Sequence, residues 1–175
     1  MIVCKSAAEL ETMHRAGLIV WDVLNDLRQA VRPGVTTLEL EKLAERRTAD
    51  LGARSAFKGY RGYPCVLCAS VNQEIVHGIP SANRRVKEGD VISLDFGVEL
   101  DGYYGDAAVT VPVGKVSPEV EKLLRVTRES LDLAIEQVRP GNRLSDISAA
   151  VQKWVEKNGF SVVREFVGHG IGTKM

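Results

Sequence analysis

Apolar residues recur at helical spacing in four stretches of this chain. A serine at position 6 followed by Glu9 makes a capping box, and Leu10, Met13, Gly17, Val20, Leu24 and Leu27 then line one face until Pro33 and Gly34 stop the helix. Thr36 with Glu39 opens a second helix that runs to about Leu51. Ser117 and Pro118, as N-cap and first helical residue, open a third, whose face carries Val120, Leu123, Leu124, Leu131, Ile135 and Val138. The fourth spans about Leu144 to Lys157, and glycines at 52 and 159 close the second and fourth. Between the helix pairs, YPCVLCASVNQEIVHGIP and GDVISLDFGVELDGYYGDAAVTVPVG read as strands.

The plan repeats. VRPG occurs at Val31 to Gly34 and again at Val138 to Gly141, and the same spacing carries Leu24 onto Leu131 and Gly52 onto Gly159. Each copy is a helix, a stop and a shorter helix, with strands expected next, which is a fold-level repeat. Position 175 maps onto position 68, so the counterpart of residues 69–114 falls outside the chain.

Within the strand region, Asp95 sits in the apolar run VISLDFGV, where an uncompensated carboxylate is costly. Asp101-Gly102 is a strong two-residue hairpin signal, and a type I′ turn there pairs Leu100 with Tyr103. The same ladder sets Gly97 opposite Asp106, which makes Asp95 and Asp106 diagonal neighbours on one face, roughly 7 Å apart, unless a bulge at Gly105 shifts the register. Two carboxylates so placed suit a shared cation or an acid/base pair.

Composition narrows the setting. With 45% hydrophobic and 26% charged residues and no apolar run near the about 20 residues of a membrane span, the chain reads as a soluble globular protein. The 23 basic and 23 acidic residues cancel, which gives no overall electrostatic reason for a nucleic-acid or membrane partner. The N-terminus lacks a secretory h-region, and Cys4, Cys65 and Cys68 fit neither a disulfide framework nor a zinc knuckle. The cytoplasm is the expected location.

His14 lies among polar neighbours on the first helix and reads as a surface residue. His77, after ASVNQEIV, and His169, after FSVVREFV, share a strand-to-glycine-loop position and are candidate ligands or proton donors beside the aspartates. Gly168, Gly170 and Gly172 lack the GxGxxG spacing and precede no helix, which makes a phosphate cradle a weak reading. FKGYRGYPCVLC offers aromatic and sulfur surface, either as a packed loop or as the wall of a small apolar pocket suited to an unbranched side chain such as methionine.

GYRGYPCVLCASVNQEIVHGIP, GDVISLDFGVELDGYYGDAAVTV and FVGHGIGTKM, in this order and spacing, closely resemble type I methionine aminopeptidases of the short bacterial form, over essentially the whole chain. The resemblance implies an α/β (α+β) fold of the pseudo-symmetric pita-bread, creatinase/aminopeptidase-like kind. Residues 1–175 would form one catalytic domain, with a first repeat at about 6–114 and a partial second at about 115–175. It further implies removal of the initiator methionine by a hydroxide held between two divalent ions (Co, Mn, Fe or Zn). The metal ligands would be Asp95, Asp106 and His169, the substrate-contacting catalytic residue His77, and the methionine side-chain pocket Phe57, Tyr60, Tyr63 and Cys68. Substrates would be nascent N-termini with methionine before a small residue, and the ribosome is a candidate partner. Family members run on for a further stretch that supplies a second histidine and two glutamate ligands, so this chain is expected to be C-terminally incomplete, to hold at most one ion weakly and to have little activity. Arg61 stands where the family often has histidine. Two other readings remain: a non-catalytic pita-bread peptide-binding protein, and a relative that cuts X-Pro bonds.

Overall fold

A computed structural model describes residues 3–175, which form two compact units, one of the residues up to Val116 together with Gly170–Met175 and the other Ser117–His169. Among the described residues no helix is long and apolar enough to cross a membrane.

The first unit opens with α1 (Ala7–Ala30) and α2 (Thr37–Asp50), both starting in the expected capping boxes. Ser6 N–H donates to Glu9 Oε2 at 2.7 Å and Thr36 N–H to Glu39 Oε2 at 2.8 Å, which satisfies donors that a helix start leaves orphaned. The buried face of α1 is Ala16, Val20, Val23, Leu24 and Leu27. It is rotated from the expected stripe: Leu10 and Gly17 are exposed. The cause is a close sheet contact, because a Cβ on Gly105 would lie 2.7 Å from the Ala16 carbonyl carbon and 2.9 Å from Gly17 N.

The sheet is antiparallel. Its central strand β3 (Val91–Leu100) pairs along one edge with β1 (Arg54–Ser55) and β2 (Leu67–Val71) and along the other with β4 (Tyr103–Pro112). Ile92, Leu94, Phe96, Val98 and Leu100 alternate onto one face of β3 and join the α1 stripe in a single core. The strand expected to continue past Val71 does not. Asn72 turns at φ 58, and Val71 N–H donates to Glu74 Oε2 at 2.7 Å. The rest of that edge is closed locally as well: both Glu41 carboxylate oxygens accept from Val66 and Leu67 N–H at 2.9 Å, and Ala69 N–H donates to Gly78 O at 2.8 Å. No edge donor of β2 is left to recruit another strand.

The second unit is a helical pair, α3 (Pro118–Glu136) and α4 (Leu144–Lys157), packed against each other. Val126, Ala134 and Val155 are buried, whereas Leu131, Ile135 and Val138, expected to face a core, are 55%, 59% and 69% exposed. The expected strand FSVVREFV does not form; residues 160–167 are irregular. A strand exists only by pairing, and among the described residues no strand pairs with this segment.

Candidate metal and substrate site

The hairpin follows its turn chemistry. Asp101 and Gly102 both take positive φ, 51° and 84°, as a type I′ turn requires, and Leu100 pairs with Tyr103. The ladder runs without a bulge through Val98↔Gly105, Gly97↔Asp106 and Asp95↔Ala108, so Asp95 and Asp106 are same-face diagonal neighbours, both half-buried. On the other side of β3, Cys68 stands directly across from Asp95. Glu99, farther along the same face, is ion-paired with Arg54 and accepts from Gly102 N–H at 2.5 Å. It is occupied with the turn, and the aspartates are the carboxylates that meet Cys68.

Cys68 reports the local electrostatics. Burial is the first cause that pushes its thiol up to about 11, and the negative charges of Asp95 and Asp106 add to it, partly offset by the Tyr63 hydroxyl. The thiol therefore stays neutral near pH 7, and the aspartate field that disfavours a thiolate equally favours a cation. Burial also raises the Tyr63 hydroxyl, which donates to Leu67 O at 2.9 Å and sits 3.1 Å from Gly78 O.

Beside the aspartates lies a second apolar cluster. Ala56, Phe57 and Cys68 are buried together, with Tyr63, Tyr104 and Met175 packed against them. Tyr60 is in a single 3₁₀ turn (Tyr60–Gly62), 42% exposed, with the Arg61 guanidinium 5.4 Å from its ring centroid, and it is not part of the cluster. Ser55 Oγ accepts from Phe57 and Lys58 N–H at 3.2 and 3.1 Å and fixes the start of this loop.

His77 is exposed, at φ 62, in the loop after β2. The next residue is glycine because the loop lies on the strand: a Cβ on Gly78 would be 2.4 Å from Ala69 O. His169 is exposed and is the last residue of the second unit. Among the described residues no group of three or more His, Cys, Asp or Glu side chains stands together as a metal cluster, so the carboxylate pair is what the first unit assembles by itself.

Three cluster members were not read from the sequence. Tyr104 was accessible, since the hairpin register places it on the face of Asp106. Ala56 had no distinguishing signal. Met175 reaches the cluster through a tertiary contact, with Tyr104 N–H donating to Gly172 O at 2.9 Å, and nothing local announces it.

The sequence model described as metallopeptidase family M24 matches residues 11–175. A methionine aminopeptidase of Clostridium acetobutylicum is 49% identical over 175 residues, 100% of this chain and 70% of that protein. A crystal structure of methionine aminopeptidase from Thermotoga maritima superposes with a TM-score of 0.98 at 44% identity, covering 99% of this chain and 70% of that one. An Xaa-Pro dipeptidase from Bacillus anthracis, 22% identical, superposes at 0.82 over 97% of this chain and 46% of its own, which is a likeness of fold.

Proposed function

The chain belongs to metallopeptidase family M24, among its bacterial-type methionine aminopeptidases with the α/β pita-bread fold, and on that premise we propose how its own residues serve the removal of N-terminal methionine. Asp95 and Asp106 would hold the divalent metal that the family implies, with His169 as the third ligand by the resemblance of FVGHGIGTKM to the family's motif. The observation that carries this is the pairing of Asp106 with Gly97 and of Cys68 with Asp95, which joins two carboxylates to an apolar, sulfur-lined cluster across one strand.

The donor chemistry fits. Carboxylate oxygens and an imidazole suit Co, Mn, Fe or Zn, and a combined charge of −2 suits one ion far better than two. When bound, the metal supplies Lewis-acid polarisation of the scissile carbonyl and an activated water. Phe57, Tyr63 and Cys68 enclose the methionine side chain, with Tyr60 at the rim. A neutral, polarizable thiol packs against a thioether without competing for the substrate carbonyl. His77 donates a hydrogen bond to the peptide group from the loop after β2. The substrates are nascent N-termini with methionine before a small residue, in the cytoplasm, and the ribosome is the partner that would present them.

The 175-residue chain by itself holds at most one ion, weakly, and turns over little substrate. A second reading, a peptide-binding protein without hydrolysis, draws on the buried apolar cluster of Ala56, Phe57 and Cys68, which would serve binding by itself. Release of methionine from Met-Ala-Ser with manganese or cobalt decides between them. The 175-residue chain is expected to be nearly inactive. Where the gene's coding sequence runs on past Met175, the chain so extended is expected to be active, and to lose that activity on Asp95→Ala or Asp106→Ala. Equal turnover by the short chain overturns the ligand count, and an inactive extended chain favours the binding reading.

A further inference from the structure

Gly97 is the residue of β3 that lies between the carboxylate pair and the apolar cluster. It sits directly opposite Asp106, two positions from Asp95 on the same face, and is buried. It is not among the glycines with positive φ, so its backbone conformation is open to any residue. What it lacks is room. A Cβ at position 97 would lie 2.9 Å from Phe57 Cε1, 3.2 Å from the Ala56 Cβ and 3.2 Å from Gly105 O. Ala56 N–H donates to Gly97 O at 3.0 Å, which ties the segment bearing Phe57 to this point of the strand. A glycine inside a strand marks such a close approach.

We propose that Gly97 is a specificity-determining residue: its missing side chain seats the Phe57 ring against the sheet beside the aspartates and thereby leaves depth for a long unbranched side chain. This rests on the reading of the cluster as the methionine site. Any side chain at 97 overlaps the buried ring, which must then leave its seat on the sheet and change the shape of the cluster it forms with Cys68. Backbone atoms and the Ala56 methyl cannot yield, so Phe57 is the group that moves.

The test measures thermal unfolding and the binding of three probes, L-methioninamide, L-norleucinamide and L-valinamide, to the whole chain by ligand-observed NMR with manganese excluded. The wild type is expected to bind the two unbranched probes at least tenfold more tightly than valinamide. Gly97→Ala should lower the unfolding midpoint and weaken methioninamide at least tenfold. Adding Phe57→Leu to Gly97→Ala should restore the midpoint and part of the binding, because the shorter side chain removes the clash; this double variant also serves if Gly97→Ala alone does not fold. Unchanged binding in Gly97→Ala, or no recovery in the double variant, overturns the proposal. A wild type that binds none of the probes while the two substitutions still compensate in stability overturns the methionine reading and the selectivity claim together, leaving only packing.

Discussion

Asp95 and Asp106 lie one diagonal step apart on the same face of the β3–β4 ladder, because Asp106 pairs with Gly97, two residues from Asp95 along the strand. Two carboxylates at that spacing offer a divalent cation more than either does alone. Asp95→Asn or Asp106→Asn is expected to weaken manganese binding roughly tenfold or more while leaving the unfolding midpoint near the wild-type value, as read by water-proton relaxation titration. Equal affinity in both variants would place the ion elsewhere.

The hairpin is also anchored to the start of α1. Tyr103 donates to Glu9 Oε1 at 2.6 Å, and Ser6 N–H and Oγ bond Glu9 Oε2 at 2.7 and 2.8 Å. The Tyr103 bond, followed by the Ser6 bonds, holds the Glu9 carboxyl down at about 2 against an ordinary 4.5. A depressed carboxylate contributes stability that is present above the unfolded value and lost as pH falls through the folded one. Stability should therefore decline as pH is lowered from 4.5 toward 2, and Glu9→Gln should flatten that part of the profile. Urea midpoints of both proteins across this interval check it.

Glu41 supports the cluster from outside. It is 6% exposed, and its two oxygens accept the N–H groups of Val66 and Leu67, directly before Cys68. An amide in its place can accept with only one oxygen and turns an NH₂ toward the other donor. Glu41→Gln is expected to cost about 1–3 kcal/mol in chemical denaturation, the range for leaving a buried backbone donor unsatisfied.

The second unit exposes an apolar stripe at Leu131, Ile135 and Val138. Such a stripe on an isolated chain drives association. Sedimentation velocity of the 175-residue chain, with reductant to keep the exposed Cys4 thiol free, should show concentration-dependent association. Leu131→Lys with Ile135→Lys should shift it toward monomer without unfolding α3.

Helix starts, helix stops and the hairpin register were legible in the sequence because each is decided within a few residues. Ser6 reaches Glu9, Thr36 reaches Glu39, and Asp101-Gly102 can close only one tight turn, after which the two-residue period of the strands assigns every side chain to a face. That placed both aspartates on one face of the hairpin, and the surrounding motifs carried the family; the strand read from Tyr63 onward begins only at Leu67, which leaves Tyr63 in the loop before it. Which atoms meet across long sequence separations was not written locally. The rotated face of α1 depends on Gly105, β2 ends early because Glu74 and the loop at Gly78 satisfy its edge, and FSVVREFV stays irregular for want of a partner strand. Met175 beside Phe57 and the vacancy that Gly97 leaves for that ring belong to the same class. Periodicity says which side of an element is apolar, but only the packed chain decides how closely another element approaches it.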